Sequence, residues 1–213
     1  MQNREKTEDG YLLTYVDPKG ETIDEQCYLF RVTENGTQIR LAYEGDEKPE
    51  VNRYWLTFDT NPAEHVYGCG ETYSEFDLKG QKVRIWVAEH QNTGRISKKI
   101  IKEKIIDKHP NKKLAFDKYE SYYAQPTFVS SDRYYVHCDV NAYSEFDFRD
   151  SNHMTLYFQE PPVLITEAGE DFVDVSRKLT ALLGRQKALP DWLYDGVILG
   201  IQGGTEAVED KMK

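Results

Sequence analysis

The feature that most constrains this chain is a change of rhythm. From Tyr11 to Thr166 its apolar and aromatic residues come in short runs separated by turn residues, and after Asp171 they recur at helical spacing. Short runs bounded by turns suit half-buried strands, in which alternate side chains face the core. Strands are expected over Tyr11–Val16, Cys27–Thr33, Thr37–Tyr43 and Asn52–Phe58, the last with Tyr54, Leu56 and Phe58 on one face. Further short extended pieces fall within His65–Val83. The later strands are Val83–Ala88, Tyr119–Val129, Arg133–Val140, Tyr143–Phe148, His153–Phe158 and Val163–Thr166. Asp17-Pro18-Lys19-Gly20 marks one turn. Asn35-Gly36, between two strand runs, marks a hairpin, because both residue types tolerate positive φ. Together these predict a mainly β chain, an antiparallel β-sandwich over residues 1–168.

The second rhythm begins at Asp171. Phe172, Val175, Leu179 and Leu182 share one face of a helix predicted over Asp171–Gly184. Glu170, Asp171 and Asp174 sit at the start, where the helix dipole favours anions, and Gly184 is a fitting stop. Residues 169–190 are thus a helical linker, closing at Leu189-Pro190-Asp191-Trp192. Gly196–Ile201 is an apolar run without alternation, as in a strand buried on both faces. Gln202-Gly203-Gly204 follows, then Thr205 as a helix N-cap with Glu206, Glu209 and Asp210 behind it. Residues 191–213 therefore hold one β-strand and the opening of one helix. A single parallel strand cannot satisfy its own backbone groups, so the sequence is expected to stop inside a domain.

Composition excludes more than it selects. The net charge is -10, which repels nucleic acid and anionic membranes, and no apolar run approaches a bilayer span. The polar start, Met1–Gly10, has no apolar signal core, so a cytoplasmic location is expected. Cys27, Cys69 and Cys138 are an odd number without metal-ligand spacing, which fits buried thiols in a reducing compartment and neither a disulfide framework nor a metal site. His137 and Cys138 are adjacent on a strand and so point to opposite faces, a poor catalytic pair. No Ser-His-Asp order, phosphate loop or metal cluster is visible, and no cofactor is implied. Lysines crowd an insertion at about residues 95–118, including Lys98, Lys102, Lys108 and Lys112. The bland reading is a solvated loop. Two others stay open: a nucleic-acid patch, which the acidic remainder opposes, and a loop at the mouth of an anionic-sugar site. Tyr, at 15 residues, is abundant. Its rings suit strand packing, and flat rings also match the C–H face of a pyranose.

Three stretches resemble one family. They are Val66-Tyr67-Gly68-Cys69-Gly70-Glu71 continuing through Tyr73 to Gly80, Tyr123-Ala124-Gln125-Pro126-Thr127-Phe128-Val129, and Leu179–Gln186 through Leu189-Pro190-Asp191-Trp192 to Asp195–Glu206. Together they resemble glycoside hydrolase family 31 and, within it, the sulfoquinovosidase branch. The resemblance runs from about Trp55 to the last residue. It implies a galactose-mutarotase-like N-terminal β-sandwich, then a helix and the first βα unit of a truncated (β/α)8 barrel. It also implies retaining hydrolysis of α-sulfoquinovosides, through a nucleophile and an acid/base carboxylate about 5 Å apart. In the family both are aspartates of later barrel strands, so no catalytic residue is assigned in this chain, which alone is expected to be inactive.

One binding position carries over. Gln202 matches the glutamine that ends the family's first barrel strand, among the residues around the sulfonate. Barrel active sites lie at the C-terminal ends of strands, and a side-chain amide can donate to a sulfonate oxygen. Asn92-Thr93-Gly94-Arg95 resembles a sandwich loop that reaches the barrel mouth, with Arg95 at the rim. The expected partners are a carbohydrate substrate and the missing barrel portion of the same protein, not nucleic acid or a membrane. Two alternatives remain: a family 31 α-glucosidase or α-xylosidase type acting on neutral α-glycosides, and a non-catalytic carbohydrate-binding sandwich.

Overall fold

A computed structural model describes residues 3–8, 10–15, 28–44, 52–71, 74–87, 119, 121–196 and 200–212. The turn at Asp17–Gly20, Cys27, Arg95, the lysine-rich insertion and residues 197–199 lie outside the described residues. By contacts the chain divides into two units, residues 1–179 and 180–213.

Among the described residues twelve strands build the first unit: β1 (Asn3–Lys6), β2 (Gly10–Tyr15), β3 (Tyr28–Asn35), β4 (Gln38–Tyr43), β5 (Tyr54–Asp59), β6 (Val66–Gly70), β7 (Lys82–Ile85), β8 (Ala124–Ser130), β9 (Tyr134–Asp139), β10 (Ser144–Asp147), β11 (His153–Phe158) and β12 (Val163–Ala168). They form an eight-stranded sheet in the order β1-β2-β3-β4-β12-β9-β8-β6 and a four-stranded sheet in the order β5-β11-β10-β7. Every pairing of these strands is antiparallel. The mainly β, antiparallel architecture predicted from the short runs is therefore present. One strand escapes that reading: polar Asn3–Lys6 carries no apolar alternation, yet pairs along its length with Tyr11–Thr14.

Alternation decides which side chains meet. In β11, Met154, Leu156 and Phe158 are buried while Thr155 and Tyr157 are not. In β5, Tyr54 and Leu56 are buried and Phe58 packs against the same core, whereas Trp55 faces outward. Opposite them, the large sheet supplies Phe30, Leu41, Val66, Phe128, Val136, Cys138 and Leu164. Phe146 stands edge-on to Phe128, Phe148 and Phe158, with ring centroids 6.0–6.3 Å apart. Each fully buried phenylalanine contributes roughly 1.5–3 kcal/mol relative to exposure, so this aromatic knot is a main support of the fold.

The β3–β4 hairpin is real but shifted by one residue. Asn35 pairs with Gln38, so the loop residues are Gly36 and Thr37. Gly36, at φ +62°, takes the first loop position, the glycine site of a type II′ turn, and Asn35 is left in the strand.

The predicted helix is α1 (Phe172–Leu183), and Gly184 ends it at φ +89°. Asp171 Oδ1 accepts the Asp174 backbone N–H at 2.7 Å, and Asp174 Oδ2 accepts the Glu170 N–H at 3.2 Å, a reciprocal cap. Lys178 donates to the Ala168 carbonyl at 2.7 Å and to Thr37 Oγ1 at 3.1 Å, tying the first turns to β12 and the hairpin. Of the predicted apolar stripe only Val175 is buried. Phe172 and Leu182 are exposed.

In the second unit, a 3-10 turn spans Asp191–Tyr194 and α2 spans Gly204–Lys211. The N-cap of α2 is Gly203, not Thr205 as the sequence suggested. Gly203 and Gly204 both hold positive φ, +116° and +75°, which lets the helix begin ahead of the threonine. Gly200 and Ile201, the described end of the expected strand, are not in a strand.

Candidate functional site

The glycine-rich motif of the sequence folds as an irregular sheet edge. β6 pairs Val66 with Ser130 and Gly68 with Phe128, then the register shifts and Gly70 pairs with Ala124. Gly68, Cys69 and Gly70 hold φ of +121°, +62° and +93° in succession. Such a run bends the strand as bulges do, and it explains the glycines. A Cβ on Gly70 would lie 2.1 Å from the Tyr123 carbonyl oxygen, and one on Gly68 would lie 2.9 Å from that of Thr127. The backbone is closed on β8 by the Glu71 N–H, which donates to the Tyr123 carbonyl at 2.7 Å. The Tyr67-to-Glu71 and Tyr123-to-Val129 motifs, far apart in sequence, are thus the two sides of one ladder.

Around this bend the rings are open to solvent. Phe76 stacks obliquely on Tyr67 at 5.0 Å and is 86% exposed. Tyr122 and Tyr123 are exposed as well. Behind it lies a buried carboxylate, Glu64, which accepts hydrogen bonds from the hydroxyls of Thr60, Ser130 and Tyr134. Burial, and then the Glu64 carboxylate beside it, push the Tyr134 phenol above its ordinary range. With three hydroxyl donors converging on it, Glu64 pins the Thr60–His65 loop to β8 and β9, a structural task that its sequence neighbourhood did not reveal.

Nothing among the described thiols is poised for chemistry. Cys69 and Cys138 are free and buried, and burial pushes both thiols well above the ordinary range. His137 faces away from Cys138. Thr127 Oγ1 and His137 Nδ1 lie 2.8 Å apart, and burial lowers the imidazole pKa. Among the described residues no group of three or more His, Cys, Asp or Glu side chains is placed to hold a metal ion.

Gln202 is exposed and directly precedes the Gly203 N-cap of α2. Each unit carries part of what the sequence singled out: the bent edge belongs to the first, Gln202 to the second. Arg95 lies outside the described residues. The exposed rings at the bend were not singled out for a role. Their only sequence signal was their neighbourhood to the glycine motif.

Comparisons with known proteins now bear on these motifs. Residues 2–100 match the glycosyl hydrolase 31 N-terminal galactose mutarotase-like domain. The chain is 41% identical over 162 residues to a sulfoquinovosidase of Escherichia coli (strain K12), a match covering 76% of this chain and 23% of that protein. It is 35% identical over 183 residues to a sulfoquinovosidase of Agrobacterium fabrum, covering 85% of this chain and 26% of that protein. Among solved structures, a family 31 sulfoquinovosidase from E. rectale, in complex with the aza-sugar inhibitor IFGSQ, superposes with a TM-score of 0.81. That match is 29% identical in sequence and covers 99% of this chain and 30% of the other. The chain therefore spans about a quarter of the length of the curated relatives it matches. Among the described residues no helix is long and apolar enough to cross a membrane.

Proposed function

This chain belongs to glycoside hydrolase family 31 through its N-terminal galactose mutarotase-like domain, and from that premise we propose that it serves a retaining α-glycosidase that cleaves α-sulfoquinovosides. The observation that carries the substrate reading is the agreement of sequence and shape with sulfoquinovosidases: 41% identity to one, and a TM-score of 0.81 over 99% of this chain to another. In this reading residues 1–168 are the sandwich, 169–190 the linker, and 191–213 the opening of a (β/α)8 barrel whose remainder is the chain's partner. The carboxylates that do the chemistry belong to that remainder. This chain alone turns over no glycoside, and it works in the cytoplasm, where its buried thiols stay reduced.

Gln202 has the part of a sulfonate contact. Exposed and set just before a helix start, its amide can donate to a sulfonate oxygen while the nearby backbone N–H groups of α2 add a favourable field for an anion. The test is a substitution in the complete reading frame. Gln202→Ala is expected to weaken KM for 4-nitrophenyl α-sulfoquinovoside about tenfold, and to leave 4-nitrophenyl α-glucoside turnover unchanged. Equal loss on both substrates would reduce Gln202 to a turn residue. A native preference for the plain glucoside would favour the neutral-glycoside reading of the family.

A further inference from the structure

The outer face of the four-stranded sheet carries a row of rings that the reading above does not use. Trp55 on β5 lies 5.1 Å from Tyr157 on β11, by ring centroids. Tyr157 lies 6.4 Å from Tyr143, which leads into β10, and Tyr143 lies 5.7 Å from Trp86, which leaves β7. The row therefore crosses all strands of that sheet in their spatial order. Register makes this so. Trp55 is the direct partner of Tyr157. Its two ends are the open ones: Trp55 is 58% exposed and Trp86 38% exposed, while the tyrosines between them are half-buried.

Beside the rings runs a row of polar side chains of both signs. Lys82 pairs with Glu145 at 2.5 Å, Arg84 approaches the same carboxylate at 4.0 Å, and Arg149 pairs with Asp147 at 2.6 Å. Tyr143 OH donates to Glu145 at 2.6 Å, which locks the central ring of the row. Burial favours protonation of Glu145, but the hydrogen bonds from Lys82 and Tyr143 and the nearby cations outweigh it and hold its carboxyl below the ordinary range. Thr57 and Thr155 add hydroxyls 3.2 Å apart on the same face.

We propose that this face is a secondary glycan-binding platform, on which the C–H faces of pyranose rings stack against Trp55, Tyr157, Tyr143 and Trp86. Three observations select that occupant. The row is made of rings alone, without the aliphatic side chains that mix into a protein-docking core. The rings are fixed by the sheet and by the Tyr143–Glu145 bond, so a ligand meets them preorganised. Charge also discriminates: Lys82, Arg84 and Arg149 are offset by Glu145, Asp147 and, on the outward face of β5, Asp59, so these charges cancel in a chain that carries -10 overall. An uncharged or singly anionic sugar meets no repulsion there, whereas a second copy of the chain, or any polyanion, is repelled by the rest of the molecule. The class of ligand rests on the glycosidase reading. The site does not, since it lies on the sandwich and needs no catalytic group.

The experiment is a titration of the 213-residue chain, by calorimetry and tryptophan fluorescence, with maltoheptaose and separately with methyl α-sulfoquinovoside. Saturable binding of either is expected, weakened about tenfold or more by Trp55→Ala and by Trp86→Ala and unchanged by Trp192→Ala, an exposed ring of the second unit. Circular dichroism and the unfolding midpoint of Trp55→Ala are expected to match the parent. Absence of binding by both sugars to the folded chain would overturn the proposal. So would binding that ignores Trp55→Ala, or a Trp55→Ala effect confined to self-association. Loss of glycoside hydrolysis by the complete reading frame, with glycan binding here intact, would sink the catalytic reading alone.

Discussion

Residues 1–179 and residues 180–213 are both supplied with large apolar side chains, yet among the described residues only the first group buries them. In the sandwich Phe128, Phe146, Phe148, Phe158, Leu156 and Val83 are withdrawn from solvent almost completely. Among the described residues of 180–213 no side chain is buried, and Leu183, Leu189, Trp192, Tyr194 and Val208 are all exposed. The difference is one of partners, not of composition. Each strand of the sandwich has a neighbour for its backbone, and β3–β12 send described side chains into one shared core. The described residues from Thr180 onward form the end of α1, a 3-10 turn and a short helix, without a packed core of their own. Stability should therefore reside in the first group, and substitutions should sort accordingly.

The largest effect is expected at the centre of the aromatic knot. Phe146→Ala removes the ring that meets Phe128, Phe148 and Phe158 and leaves a cavity in a close-packed core. It should lower unfolding stability by about 3–5 kcal/mol, measured as a shift of the urea midpoint. An unchanged midpoint would break the comparison. Next comes the bent edge. Gly70→Ala places a Cβ against the Tyr123 carbonyl at a φ of +93° and should cost on the order of 1–3 kcal/mol from backbone strain alone, with the clash added.

A smaller, pH-dependent contribution sits beside the same edge. Burial favours the protonated form of Asp77, but the His65 hydrogen bond at 2.6 Å and the Lys79 and Val66 backbone N–H groups outweigh it and hold the carboxyl below its ordinary value. A depressed folded-state pKa adds stability that is fully present above the ordinary aspartate value and is lost as pH falls through the lowered one. Asp77→Asn should therefore lower stability by a constant amount above the ordinary aspartate value and flatten the acid limb, so that variant and parent converge as pH falls through the lowered value. The smallest effect is expected in the second group: Trp192→Ala should move the sandwich midpoint by no more than about 0.5 kcal/mol.

How much of this was legible beforehand follows from the range of the forces involved. Alternation is local, so Tyr54, Leu56 and Phe58 on one face of β5, or Met154, Leu156 and Phe158 in β11, could be read from the chain itself. β1 could not, because Asn3–Lys6 is polar and becomes a strand only by pairing with β2. The hairpin was visible in Asn35-Gly36, but which residue enters the loop depends on the pairing of Asn35 with Gln38. The Gly68-x-Gly70 spacing announced something unusual. Its cause, the approach of Tyr123 and Thr127, lies about 55 residues away in sequence. At the candidate site the sequence supplied Gln202 and its likeness to a barrel strand end. It gave no hint of the Glu64 cluster or the row of rings, since both are assembled from several strands.

The most direct test of the account is the substrate preference of the complete reading frame, measured as kcat/KM for 4-nitrophenyl α-sulfoquinovoside and for 4-nitrophenyl α-glucoside. The account predicts that the sulfonate-bearing substrate is preferred by at least about a hundredfold, equivalent to roughly 2.7 kcal/mol of differential transition-state binding. Equal turnover of the two, or faster turnover of the plain glucoside, would contradict it.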